Sequence, residues 1–215
     1  ARQLQEAANK YKVATQMGNQ GYSNEGTRQV AEMIWSGAIG NVTEVHAWTN
    51  RPLWPQGITA APAPTAVPDT LDWDLWQGIA EARPFTIGGE GYPNPYGNFY
   101  QPFNWRGFFD YGCGALGDMA CHILGAPNIA LQLGPPTSVE CIKKEGVSEI
   151  QFPRQSITRF DFPARGNMPA LKLFWYDGMK ENPKIEGVPQ GEWLGDLPMR
   201  GGRPGGGRRG QGQAQ

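Results

Sequence analysis

Three β-strands are predicted within residues 138–176, which read SVECIKKEGVSEIQFPRQSITRFDFPARGNMPALKLFWY. The predicted strands are 138–143, 156–162 and 171–176, each rich in β-branched or aromatic residues. Proline and glycine residues separate them, and these residues favour turns over continued strands. The second half of the chain is therefore expected to form a mostly antiparallel sheet.

Residues before this sheet predict alternating helices and strands. Residues 1–11 have apolar positions at helical spacing, and residues 13–17 (VATQM) form a short apolar run that predicts a buried strand. A turn is predicted at 18–21, which reads GNQG. This order is typical of the closing part of a doubly wound nucleotide-binding domain.

A second helix follows the turn. Ser23 or Asn24 can cap its start and Gly37 ends it, and one face is apolar, formed by Val30, Ala31, Ile34 and Trp35. A strand is then predicted at 42–49 (VTEVHAWT), and its histidine, His46, is interpreted as structural.

The middle of the chain, residues 50–111, is rich in proline, glycine and aromatic residues, and it lacks periodicity. From Tyr92 to Tyr111, 9 of 20 residues are Phe, Trp or Tyr. Long irregular segments of this kind are often functional loops, and tryptophan beside Asn, Asp and Arg suits carbohydrate binding. The alternative is that the rings pack beneath the loops.

Composition limits the other classes of function. The net charge is −1, so no global charge favours nucleic acid or an acidic membrane. Three cysteines without a C-x-x-C spacing support neither a disulfide framework nor a zinc site, and no metal is expected. Neither a membrane-spanning run nor a signal peptide is visible. Residues 200–215 are rich in Gly and Arg and are expected to be disordered, with RNA binding as the alternative.

The most specific chemical pattern lies in a helix predicted at 116–124, ending near Gly125 and Pro127. Asp118 and His122 are four residues apart, which places them on one helix face. A carboxylate beside an imidazole fixes its tautomer and raises its basicity, so the pair suits proton removal from a sugar hydroxyl. The alternative is an ordinary surface pair.

Residues 112–117 (GCGALG) match the dinucleotide-binding pattern G-x-G-x-x-G. That pattern should follow a buried parallel strand, whereas FNWRGFFDY precedes it here. We therefore interpret these glycines as allowing the backbone to approach a ligand at the start of a helix.

Four stretches resemble one bacterial branch of the glucose–fructose oxidoreductase, inositol dehydrogenase and rhizopine-catabolism family (Gfo/Idh/MocA). They occur in the family's order and cover most of residues 1–135. The stretches are VATQMGNQGYSNEG (13–26), SGAIGNVTEVHAWTNRPLWPQG (36–57), LDWDLWQGIAEARPF (71–85) and FNWRGFFDYGCGALGDMACHILGAP (103–127).

The resemblance implies an α/β (α+β) fold in which the C-terminal end of a Rossmann domain precedes a substrate domain. The boundaries expected are 1–40 for the Rossmann part, 41–199 for an incomplete substrate domain, and 200–215 for the disordered segment. The substrate domain would be an open, mostly antiparallel sheet with helices on one face. The glycine-rich phosphate turn and the lysine of the family's Glu-Lys-Pro motif would precede Ala1, so this chain by itself is expected to be inactive.

The resemblance also implies roles for individual residues. Asp118 and His122 match the family's catalytic Asp and His. The expected cofactor-binding residues are Gln16, Asn19, Trp105 and Arg106, and the expected substrate-binding residues are Arg51, Trp54 and Asn104. Gly125 stands where the family often has an Asp, which leaves the orientation of His122 open.

The function expected is hydride transfer between a sugar or polyol carbinol and NAD or NADP. Two alternatives remain: an NAD-dependent glycosidase that works by transient oxidation and elimination, and a non-catalytic carbohydrate-binding protein on the same fold. The expected partner is a small sugar or polyol, with no nucleic acid and no membrane, and the full-length protein is expected to be a homo-oligomer. Cytoplasmic and periplasmic locations both remain open.

Overall fold

The protein was studied as a computed structural model, which describes residues 2–16, 24–88, 98–181 and 183–188. The chain divides into two compact units, residues 1–182 and 183–215. In the second unit the described segment is irregular, with one turn closed by the Val188 N–H donating to the Ile185 carbonyl at 3.2 Å. The predicted disordered segment 200–215 lies outside the described residues.

The first unit has a mixed α/β architecture. Its elements in chain order are α1 (Arg2–Tyr11), α2 (Glu25–Trp35), β1 (Glu44–Trp48), α3 (Trp73–Gln77), a 3-10 turn (Asn104–Gly107), α4 (Gly114–Ile123), α5 (Gly125–Ala130), β2 (Ser138–Glu145), β3 (Gln155–Phe162) and β4 (Leu171–Asp177). The predicted long irregular middle is confirmed, because only α3 and the 3-10 turn interrupt its described part.

The four strands form one open sheet in the order β1-β4-β3-β2. β2 with β3 and β3 with β4 are antiparallel, whereas β1 is parallel to β4, with Glu44 opposite Lys172 and Trp48 opposite Tyr176. The predicted mostly antiparallel sheet is therefore confirmed. That residues 1–40 close a Rossmann domain stays a prediction.

One face of the sheet carries the aliphatic core. Along β4, alternate residues are buried, which is the two-residue period of a strand with one covered face. Leu171 and Leu173 pack with Phe162 of β3 and with Leu131, which follows α5. Ile34 of α2 and Leu124, between α4 and α5, pack against the same cluster, so these helices cover this face.

A second core of aromatic rings supports the irregular middle. Phe99, Tyr100 and Phe108 are buried and pack against the Trp73 and Trp76 rings, which stack at 4.8 Å. Aromatic residues therefore replace regular secondary structure as the scaffold here, because each ring buries a large area and pairs favour specific edge or offset geometries. The aromatic residues between 92 and 97 lie outside the described residues.

The predicted helix α2 is confirmed. Asn24 is its N-cap residue, and Glu25 places a negative charge in its first turn, where the helix dipole favours it. Gly37 ends it with φ of +76°, a conformation that side chains disfavour. Of the predicted apolar face, Ala31 is buried and Ile34 half-buried, while Val30 and Trp35 are exposed.

One prediction about local structure is wrong: residues 13–16 form no strand and are exposed, and Met17 lies outside the described residues. The predicted helix end near Gly125 is confirmed, because α4 ends at Ile123. A separate helix that was not predicted, α5, then runs from Gly125 to Ala130 and includes Pro127. Proline is tolerated in the first turn of a helix, where its missing N–H has no helical acceptor.

His46 is held on the uncovered face of the sheet. Its Nδ1 lies 2.8 Å from the Tyr176 hydroxyl and its Nε2 lies 2.6 Å from Glu44 Oε1, and its ring stacks on Phe174 at 5.0 Å. Since both ring nitrogens have partners across β1 and β4, this imidazole links the parallel pair. The geometry supports a structural role for His46.

Candidate functional site

Helix α4 carries Asp118 and His122 one turn apart. The Asp118 side chain is 28% exposed, and its Oδ1 accepts a hydrogen bond from Arg106 Nε at 3.3 Å. His122 is exposed in the last turn of the helix, and within the described residues its imidazole has no hydrogen-bond partner. The helix therefore presents one anchored carboxylate and one uncommitted imidazole.

Arg106 belongs to the 3-10 turn, and aromatic rings hold its guanidinium group. The guanidinium carbon lies 4.4 Å from the Phe103 ring centre and 4.6 Å from that of Trp105, with Trp54 at 5.9 Å. Nη1 also donates to the Phe103 carbonyl at 3.2 Å. Flat stacking suits the planar guanidinium group, so the cation that faces Asp118 is fixed before any ligand binds.

Buried polar contacts hold this turn in place. Asn104 is 0% exposed, and its Nδ2 donates to the Asn98 carbonyl at 2.8 Å. Trp54 is 2% exposed, and its Nε1 donates to Gln56 Oε1 at 2.8 Å. A Cβ on Gly107 would lie 2.5 Å from the Pro55 carbonyl oxygen, so only glycine lets the two segments approach so closely.

Trp54 and Asn104 are both covered and hydrogen-bonded inside the protein, next to Arg106 and within its turn. Substrate binding at these two residues stays a prediction. Trp105, by contrast, is half-buried with its Nε1 donating to the Pro102 carbonyl at 3.0 Å, so part of its ring is accessible.

The glycines of 112–117 serve internal packing. A Cβ on Gly114 would lie 2.5 Å from Phe152, one on Gly112 would meet the Arg106 carbonyl at 2.4 Å, and one on Gly117 would meet Cys113. The described residues 98–111, directly before Gly112, contain no strand, in agreement with our rejection of the dinucleotide-binding pattern. The close approach expected for a ligand is made by the protein itself at Gly114.

The remaining expected site residues are Arg51, Gln16 and Asn19. Arg51 follows β1, where its N–H donates to Thr49 Oγ1 at 3.2 Å and its carbonyl accepts from the Gly178 N–H at 2.5 Å. Gln16 is exposed and lies outside helices and strands. Asn19 lies outside the described residues. The structure thus brings together Asp118, Arg106, Trp105 and Trp54, and no described contact connects Arg51 or Gln16 with them.

Three further residues were missed by sequence reasoning. Phe103 stacks on Arg106, and Cys121 donates its thiol to the Asp118 carbonyl at 3.0 Å. Partial burial, followed by the charge of Asp118, raises the pKa of the Cys113 thiol, so it remains protonated at neutral pH. The sequence signal for Phe103 was its position two residues before Trp105 and three before Arg106. No sequence signal indicated Cys113 or Cys121.

The described part of the chain was compared with the requirements of a metal site and of a membrane-spanning helix. No group of three or more His, Cys, Asp or Glu residues there is arranged to hold a metal ion. None of its helices has the length and apolar character needed to cross a bilayer. No protein-family profile matches the chain, and no curated protein matches it.

Proposed function

We propose that this chain is part of an NAD(P)-dependent oxidoreductase of the Gfo/Idh/MocA kind, which moves a hydride between a nicotinamide and a sugar or polyol carbinol. One observation carries the proposal: α4 pairs a carboxylate anchored by Arg106 with an exposed imidazole one turn further on. Such an imidazole is free to hydrogen-bond a substrate hydroxyl. The resemblance of residues 103–127 to the family supplies the reaction.

His122 acts in this proposal on the proton of the substrate hydroxyl. In the oxidising direction the neutral imidazole accepts that proton as the carbon loses its hydride, and a carbonyl forms. Asp118 stabilises the resulting imidazolium through its negative charge, while Arg106 keeps the carboxylate in position. Bound NAD or NADP would accept the hydride.

Two of the described residues, Trp105 and Arg106, are chemically suited to contact a dinucleotide. Trp105 and Arg106 form a partly exposed surface, aromatic and cationic, directly beside α4. A cationic group stacked on an indole suits the anionic and planar parts of a nicotinamide cofactor. Trp105 and Arg106 would therefore hold the cofactor, together with Asn19 and Gln16 as the resemblance implies.

The test is cofactor reduction by the protein as encoded, including any residues that its gene specifies before Ala1. A panel of aldoses, inositols and linear polyols is offered with NAD and with NADP, and nicotinamide absorbance is followed. With the substrate found, His122→Gln should lower kcat/KM about 10²–10⁴-fold, the usual effect of removing a general base.

The matched control is His46→Gln, because the chain contains two histidines. This control removes the other imidazole, which lies on the sheet, and should leave kcat/KM unchanged. A His122→Gln enzyme as active as wild type would overturn the proposal. Cleavage of an aryl glycoside without net NADH formation would favour the glycosidase, and saturable sugar binding without turnover would favour the carbohydrate-binding protein.

A further inference from the structure

A cleft lies between the ends of α2 and α5 and the turn that joins β3 to β4, and no residue of α4 lines it. Its volume is about 440 Å³, within the range of small-molecule sites. Val42, Leu131 and Met168 line it together with Trp35, so much of the lining is apolar. None of the residues of the proposed oxidoreductase site contributes to this lining.

Trp35 forms a fixed wall of the cleft. Its Nε1 donates to the Ala130 carbonyl at 2.8 Å, which ties the indole of α2 to the end of α5. The side chain is nevertheless 53% exposed. A ring that is oriented but uncovered is suited to stack on a planar or apolar ligand.

Among the described residues of this lining, Arg165 is the only charged one, and none is acidic. Its Nε donates to the Leu131 carbonyl at 2.9 Å and its Nη1 to the Pro163 carbonyl at 2.5 Å. These acceptors are neutral. Among the described residues no carboxylate pairs with Arg165, and its Nη2 is covered without a hydrogen-bond partner.

The turn fixes where this cation lies. Arg165 and Met168 exchange backbone hydrogen bonds of 2.9 and 2.8 Å around Gly166, which has φ of +52°. Glycine favours that conformation, so the two-residue turn is well specified. Nη2 is covered, but Nη1 donates only one of its two N–H groups, to the Pro163 carbonyl in an exposed contact, so its second N–H is left to donate to an anion such as a carboxylate.

We propose that this cleft binds a small organic carboxylate with a planar apolar body, with the carboxylate on Arg165 and the body against Trp35. The inference is independent of the proposed oxidoreductase activity. The bound carboxylate accepts from Nη1 and supplies the negative charge that no described carboxylate gives Arg165, and the body of the ligand covers the apolar part of the lining. Asn41 and Gln132, at the exposed margin, can donate to a remaining ligand oxygen.

The test compares benzoate with its uncharged counterpart benzamide by NMR of the indole N–H of Trp35, assigned with Trp35→Phe. Benzoate should shift this signal saturably, with Kd on the order of 1 mM for so small a ligand. Benzamide and an equal concentration of sodium chloride should not. Equal shifts with benzamide or chloride, or no shift with benzoate, would overturn the proposal without any variant.

Variants then locate the charge. Arg165→Gln should abolish the benzoate shift, whereas Arg28→Gln should preserve it, because Arg28 is an exposed arginine on α2 that lies outside the cleft lining. The heteronuclear spectrum of each variant verifies that it is folded. Should Arg165→Gln fail to fold, Arg165→Lys on the same readout replaces it and should weaken benzoate at least tenfold; undiminished binding to either folded variant contradicts the assignment.

Discussion

Two arginine–aspartate pairs in this protein have nearly the same contact distance and exposure but very different surroundings. Arg106 and Asp118 meet at 3.3 Å with 27% and 28% of their side chains exposed; Arg159 and Asp161 meet at 3.2 Å with 29% and 25% exposed. On the sheet, Ser138 and Glu140 complete the second pair. Near α4, Asp118 Oδ2 has no partner within the described residues, and aromatic rings hold the arginine.

This difference shows that distance and exposure alone do not separate a structural ion pair from one available for chemistry. The sheet pair satisfies its own groups and links neighbouring strands. The α4 pair leaves a carboxylate oxygen open, and it lies one helical turn from an imidazole without a partner among the described residues. A carboxylate oxygen or ring nitrogen that has no hydrogen-bond partner among the described residues is more informative than contact distance or exposure.

Replacing the arginine of each pair should give the largest difference between the two pairs, measured as a change in kcat/KM. Arg106→Gln should lower kcat/KM of the proposed oxidoreductase about 10²-fold, because a displaced Asp118 no longer positions the acid–base group. Arg159→Gln should leave kcat/KM unchanged. Steady-state kinetics with both variants measures this, and equal losses would show that the pairs do not differ in function.

A smaller effect on stability is expected at the two histidines. His46→Ala should lower the free energy of unfolding by about 1–2 kcal/mol, because it removes a hydrogen bond and a ring contact that join β1 to β4, and a second hydrogen bond to Glu44 within β1. His122→Ala should change it by less than about 0.5 kcal/mol, since that side chain is exposed. Urea unfolding distinguishes them; a larger loss at His122 would argue for a structural role there.

The smallest effect is a change in the titration of Asp161. The Ser138 hydroxyl, and then Arg159, lower the pKa of this carboxyl group. Because the pKa is lower in the folded state, the carboxylate stabilises the fold above its unfolded value of about 3.9, and this contribution is lost as the pH falls through the folded pKa. Ser138→Ala should raise the pKa of Asp161, measured by carboxyl-carbon NMR; an unchanged pKa would remove Ser138 as the cause.

Much of the fold could be predicted from the sequence because composition and periodicity encode it. The β-branched and aromatic residues of 156–162 and 171–176, bounded by Pro and Gly, and the helical pattern ending at Gly37 each correspond to an observed element. Residues 13–16 could not be assigned this way, because a short apolar run has no period that distinguishes a strand from an irregular segment. Helix α5 could not be predicted, because Pro127 indicates a helix end as readily as a position in the first turn of a new helix.

The candidate site was less accessible to sequence reasoning. The Asp118 and His122 pair could be proposed because a helix fixes their spacing. The contact between Arg106 and Asp118 could not be predicted, since an irregular turn separates them and neither periodicity nor spacing specifies how it folds back. The burial of Trp54 likewise depends on tertiary packing of segments without a repeating pattern.

The parallel pairing of β1 with β4 has a consequence for the order of folding. Strands β2, β3 and β4 are joined by short connections and can associate early, whereas Glu44 must find Lys172 across most of the chain. Closing so long a loop carries a large entropic cost before any pairing compensates for it. We therefore expect a folding intermediate in which β2, β3 and β4 form a three-stranded antiparallel sheet and β1 pairs last. Until β1 pairs, the edge of β4 is exposed and vulnerable to aggregation.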